Sequence, residues 1–116
     1  MSDCLIYHNP RCSKSRQTLA LLEERGMVPE VIRYLETPPS VRTLTEVLDA
    51  LGLSPWALLR RQEPCFKALG LTPESPDHEC IAAMIANPVL IERPIVVREG
   101  KAAIGRPPEA VLSLFE

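Results

Sequence analysis

Of the four cysteines, Cys4, Cys12, Cys65 and Cys80, only Cys12 stands in a sequence setting that would make a sulfur reactive. A thiol attacks as the thiolate, and its pKa drops from about 8.5 into roughly the 3.5 to 7.5 range at a helix N-terminus or beside a cation. Arg11, Lys14 and Arg16 surround Cys12, and a helical pattern carrying Leu19 and Leu22 begins at Ser13. The unpaired N–H groups of the first helical turn would then face the sulfur. They would also face an anion. Backbone N–H groups of residues 13 to 16, the hydroxyls of Ser13 and Ser15, and Arg16 form a plausible cradle for a tetrahedral oxyanion beside the thiolate. His8, four residues upstream, would stabilise the thiolate further if it carried a proton. The residues alone are also compatible with a plain loop cysteine and a surface histidine.

Arg60, Arg93 and Arg106 lie beside prolines or at helix ends. Arginine suits oxyanions because its planar fork donates paired hydrogen bonds and stays charged. Spacing by itself does not gather these three, since scattered arginines are usually solvated surface. Cys4 and Cys80 fall among apolar residues and read as small core side chains, whereas Cys65, after Glu63-Pro64, reads as more exposed and open to oxidation. No CxxC pair occurs, and no cysteine and histidine spacing matches a zinc finger, so no metal site is expected.

These residues need elements to position them. Residues 4 to 7 form an apolar run ended by His8-Asn9-Pro10, a buried strand leaving into the Cys12 loop. The helix from Ser13 stops at Gly26, and Val28 to Leu35 reads as a second strand, joined in parallel through that helix. Thr43 with Glu46 suggests a capping box, and Leu44, Val47, Leu48 and Leu51 make an amphipathic helix ended by Gly52. Ser54-Pro55 and Ser75-Pro76 each read as N-cap and first helical residue. Past Asn87-Pro88, the runs 95–97 and 102–104 flank Glu99-Gly100 as a hairpin, and a last helix carries Val111, Leu112 and Phe115. In a thioredoxin-like arrangement, a cis bond at Arg93-Pro94 would bring that backbone beside the Cys12 loop, although trans is the ordinary state of such a bond.

The order β-α-β, helical insert over about 40–87, β-β-α predicts an α/β, thioredoxin-like fold with a four-stranded mixed sheet, spanning residues 1–116 as a single domain. At 116 residues and 46% hydrophobic the chain supports one core. A net charge of -2 argues against nucleic acid as a ligand. The N-terminal residues lack a cationic segment followed by an apolar stretch, and no window approaches a membrane span, so a cytoplasmic protein with reduced thiols and no membrane partner is expected.

Several motifs together carry a resemblance. The run Tyr7-His8-Asn9-Pro10-Arg11-Cys12-Ser13-Lys14-Ser15-Arg16 resembles the nucleophile loop of the glutaredoxin-dependent arsenate reductase family. Tyr34-Leu35-Glu36-Thr37-Pro38-Pro39, Ala57-Leu58-Leu59-Arg60, Glu92-Arg93-Pro94-Ile95-Val96-Val97 and Gly105-Arg106-Pro107 follow in that family's order. The resemblance implies Cys12 as nucleophile, with His8 and Ser15 lowering its pKa. It implies Arg60, Arg93 and Arg106 as the oxyanion-gathering residues; Arg16 and Lys14 are oxyanion-binding candidates from their place in the loop alone. Arsenate would be the substrate, glutathione the co-substrate, glutaredoxin the partner, and no bound cofactor is implied. One nucleophilic cysteine suffices because glutathione supplies a second thiol. The loop departs from the family at Ser13-Lys14, where established reductases carry Gly-Thr, so it lacks a glycine and gains a charge. Two other functions fit the same scaffold: a thiol oxidoreductase acting on an unknown oxidised substrate, and a redox-sensing regulatory binding protein. The latter commonly uses a CxxC, which Cys12-Ser13-Lys14-Ser15 lacks.

Overall fold

The computed structural model describes residues 4–115, and these divide into two compact units, one of the residues up to Thr37 and from Arg93 on, the other Pro38–Glu92. The first unit carries a four-stranded mixed sheet with strands β1 (Cys4–Tyr7), β2 (Glu30–Ile32), β3 (Ile95–Arg98) and β4 (Lys101–Ile104). Their spatial order is β2-β1-β3-β4, with β1 and β2 parallel and the other neighbours antiparallel. Helix α1 (Ser13–Glu24) makes the crossover between the parallel pair. The expected thioredoxin-like sheet is therefore present.

Register explains the core of this unit. Ile6 pairs with Val96 and Val96 with Ala103, so these side chains line one face of the sheet, with Cys4 two positions along β1 on the same face. Leu22 of α1, together with Val111 and Leu114, closes over that row, and Leu19, Met27 and Phe115 pack at its margin. Helix α1 is terminated by Gly26 in the left-handed region. Its N–H donates to Glu23 C=O while Met27 N–H donates to Leu22 C=O, which satisfies two terminal carbonyls and turns Met27 onto the core. The hairpin between β3 and β4 turns on Glu99 and Gly100, both with positive φ, as a two-residue turn matched to strand twist requires.

The structure revises four expectations. Strand β2 is three residues long and does not fill 28–35, because Pro29 offers no N–H and the Arg33 carbonyl accepts from both Glu36 and Thr37, turning the chain. The last helix, Pro108–Phe115, is a 3-10 helix, whose period of three places Pro108, Val111 and Leu114 in one buried stripe. Helix α2 (Val41–Leu51) starts a turn before the expected capping box. Ser40 caps it by accepting from Thr43 N–H at 3.1 Å, and Glu46 instead sits 4.0 Å from Arg42 on the exposed face. Ser75 does not cap the next long helix. Its hydroxyl accepts from Thr72 N–H at 2.8 Å within the preceding turn, and α4 (Asp77–Ala86) begins beyond it, with Asp77 and Glu79 complementing the dipole.

In the second unit, α2 buries Leu44, Val47 and Leu48, and α4 (Asp77–Ala86) buries Cys80, Ile81 and Met84. Short helix α3 (Pro55–Leu58) is capped by Ser54 as expected, its side chain accepting from Ala57 N–H at 3.3 Å. Leu59 and Ile91 form an antiparallel bridge beyond α3, reinforced by Arg60 N–H to Leu90 C=O and Glu92 N–H to Leu58 C=O. Among the described residues no helix is long and apolar enough to cross a membrane.

Leu22 is fully buried, whereas Val28 is 83% exposed. Leu22→Ala should therefore cost about 2 to 5 kcal/mol in urea denaturation, and Val28→Ala no more than about 0.5 kcal/mol. Equal losses from both would contradict the core described.

Candidate active site

The loop after β1 is fixed by backbone and short polar side chains. His8 N–H donates to Ile32 C=O at 2.8 Å, pinning the exit of β1 to the end of β2. Asn9 organises the turn into α1: its side-chain oxygen accepts from Arg11 N–H at 3.0 Å, its C=O accepts from Cys12 N–H at 3.0 Å, and its own N–H donates to Ser15 Oγ at 3.0 Å. Arg16 Nη1 reaches back to the Pro10 carbonyl at 2.9 Å. Cys12 emerges from this loop in extended conformation as the N-cap of α1.

At that position the sulfur is buried, at 9% relative exposure, and burial raises its pKa. The opposing effects prevail. The Ser15 backbone N–H, then the Arg93 guanidinium, then the Lys14 backbone N–H favour the thiolate, and the pKa lies below that of an ordinary thiol. Arg106 Nη2 stands 3.6 Å from Cys12 Sγ, and its Nε donates to the Arg93 carbonyl at 2.7 Å, so Arg106 is aimed by the backbone of the other arginine. The peptide bonds Arg93-Pro94 and Arg106-Pro107 are both cis. Cys80 is the contrast: burial, then Asp77 and Glu79, raise its pKa.

A protonated His8, the condition under which it would stabilise the thiolate by charge, is disfavoured. Burial, then Arg33 and Arg16, lower the His8 pKa below the ordinary imidazole value, so the ring is neutral near pH 7. Its Nδ1 lies 2.6 Å from Ser15 Oγ, which also accepts from Asn9 N–H. His8 therefore acts on the loop through Ser15, as a hydrogen-bonding partner without charge.

The first unit thus gathers Cys12, His8, Ser15, Lys14, Arg16, Arg93 and Arg106. Arg60 belongs to the second unit, where its guanidinium is 2.7 Å from Glu92 and 3.1 Å from Glu63. Burial works against its charge, and the hydrogen bonds its guanidinium donates to Glu92 and Glu63 more than restore it, leaving its pKa raised. Asn9 and the buried Thr18 were not singled out by the sequence. The Asn9-Pro10 pair was a usable signal for the first, since asparagine before proline favours a side-chain-closed turn. Thr18 had none. Among the described residues no three His, Cys, Asp or Glu side chains gather as a metal site.

The structure thus sets a cysteine of lowered pKa at the N-terminus of the first helix of a thioredoxin-like sheet, with two arginines at its sulfur. The chain belongs to the ArsC family, whose model matches residues 7–114. It is 47% identical over 113 residues to an arsenate reductase of Neisseria meningitidis serogroup B, covering 96% of this chain and 97% of that one. It is 56% identical over 111 residues to a protein of Escherichia coli K12 that bears the name "Uncharacterized protein YfgD", covering 94% and 93%. The structure of an arsenate reductase from Vibrio cholerae superimposes with a TM-score of 0.92 at 52% identity, over 96% of each chain.

Because the Cys12 pKa is depressed, its thiolate persists as pH falls below the ordinary thiol range. The pH profile of Cys12 alkylation by iodoacetamide should have a midpoint below that of free cysteine, and Cys12→Ser should remove this component. A midpoint at or above that of free cysteine would overturn the electrostatics described.

Proposed function

We propose that this protein reduces arsenate to arsenite, with glutathione as co-substrate, glutaredoxin as partner, no bound cofactor, and Cys12 as the nucleophile. The observation that carries the reading is the Cys12 sulfur at the N-cap of α1, with Arg106 Nη2 at 3.6 Å and the Arg93 guanidinium stabilising its thiolate. Two anions must meet for the reaction to start, and the arginines with the helix N-terminus offset their repulsion.

In this reading the thiolate attacks arsenic and an arsenate oxygen leaves as water. The glutathione thiol adds in the same way, displacing a second oxygen. Glutaredoxin then attacks the glutathione sulfur, forming a mixed disulfide and leaving two electrons on arsenic, which becomes As(III). Hydrolysis of the sulfur–arsenic bond releases arsenite and regenerates Cys12. His8 and Ser15 hold the loop, Arg93 and Arg106 bind the oxyanion, and Lys14 and Arg16 contribute positive charge. The cytoplasm, where thiols are kept reduced, suits this chemistry.

The test is arsenate-dependent NADPH consumption with glutathione, glutaredoxin and glutathione reductase. Cys12→Ser should abolish turnover and Cys80→Ser should leave it near the wild-type rate. Well-folded wild-type protein without turnover would redirect the reading to thiol chemistry on another oxidised substrate. Arg93→Ala and Arg106→Ala should each raise the arsenate KM about tenfold or more while Cys12 remains alkylatable. Unchanged arsenate affinity in both variants would contradict the proposed site.

A further inference from the structure

Gly105 is buried between the end of β4 and Arg106, and space alone calls for glycine there. It is not among the glycines with positive φ, which are Gly26, Gly52, Gly70 and Gly100. A Cβ at Gly105 would collide with Thr18 Oγ1 and stand 2.9 Å from Pro94 Cγ and 3.1 Å from Thr18 Cγ2. Thr18 does not yield cheaply, because it is fully buried on α1 and its hydroxyl donates to the Lys14 carbonyl at 2.8 Å. Pro94 is held as well, its carbonyl accepting from Gly105 N–H at 2.9 Å.

Three segments of the site therefore meet where there is no room for a methyl group. One is the helix that begins beside Cys12, the second is Arg93-Pro94, and the third is Gly105-Arg106. We propose that Gly105 is a positioning residue: its missing side chain sets how closely the Arg93-Pro94 and Arg106 backbones approach α1, and so the reach of both guanidinium groups to the Cys12 sulfur. The Arg106 contact at 3.6 Å lies within the range of a hydrogen bond to sulfur, and a backbone shift that lengthens it weakens it. Arg93 follows, because its carbonyl receives Arg106 Nε and its neighbour Pro94 would be pushed by the new methyl.

This inference rests on the reading of Cys12, Arg93 and Arg106 as one site. It is tested with the full chain carrying Gly105→Ala, alone and combined with Thr18→Ala, after circular dichroism has shown each to be folded. The readouts are the pH profile of Cys12 alkylation and the protection that arsenate gives against it. Gly105→Ala should raise the midpoint by about one unit, a tenfold loss of thiolate at pH values below it, and weaken arsenate protection about tenfold. Adding Thr18→Ala removes two of the three close atoms and should move both readouts back toward wild type, which a general loss of stability would not do. A Gly105→Ala profile that superimposes on wild type, or a double variant no nearer to wild type than the single, would overturn the inference. Where the single variant does not fold, the double variant carries the test: a folded double variant with a midpoint near wild type is the expected result, and a double variant that stays unfolded or is shifted by a full unit overturns the inference. An ordinary thiol midpoint in the wild type would overturn this inference together with the site reading, whereas a low wild-type midpoint with an unshifted Gly105→Ala would overturn this one alone.

Discussion

The N-cap position of Cys12 is the constraint on which the rest of the site depends. A sulfur there receives the polarity of the first helical turn, but its burial opposes ionisation, so neither effect alone yields a thiolate. Arg93 adds to the backbone N–H groups of Ser15 and Lys14, and the sum falls on the side of the charged form. The loop from His8 to Cys12 is then obliged to deliver the sulfur with little freedom, which explains why Asn9 and Ser15 spend their hydrogen-bonding groups on the loop itself.

The charges at the site have separate roles. Arg16 braces the Pro10 carbonyl, Arg33 and Arg16 help to keep His8 neutral, and Arg93 and Arg106 address the sulfur. A neutral His8 offers Ser15 a ring nitrogen without adding a further cation to a crowded positive region. In the second unit Arg60 is neutralised by Glu63 and Glu92. Cationic residues near one cysteine are thus divided among bracing, tuning and binding.

Local signals in the sequence reached the elements that position the site. The strand before His8-Asn9-Pro10, the helix after Cys12, the stop at Gly26 and the Glu99-Gly100 turn each rest on neighbours a few residues apart, and each stands where expected. Cap residues were less legible: Ser40 and not Thr43 caps α2, and Ser75 serves its turn before it can serve α4. The 3-10 path of residues 108–115 depends on burying every third residue against a sheet that no local pattern reveals. At the site, Cys12 and its flanking cations were legible because they are adjacent in sequence. The neutrality of His8, the pairing of Arg60 with Glu92 and the crowding of Gly105 by Thr18 arise from residues far apart in the chain, and only folding brings them together.

The tether from Arg106 Nε to the Arg93 carbonyl separates what a cation carries from where it points. Arginine has a donor on the stem side of its fork, so one N–H is anchored to the backbone while the outer nitrogens remain for a ligand. Lysine brings the same charge on a single freely turning nitrogen, which cannot be held and offered at once. Arg106 therefore meets the Cys12 sulfur by direction as well as by charge, and the direction is written in a main-chain carbonyl that no side-chain substitution deletes.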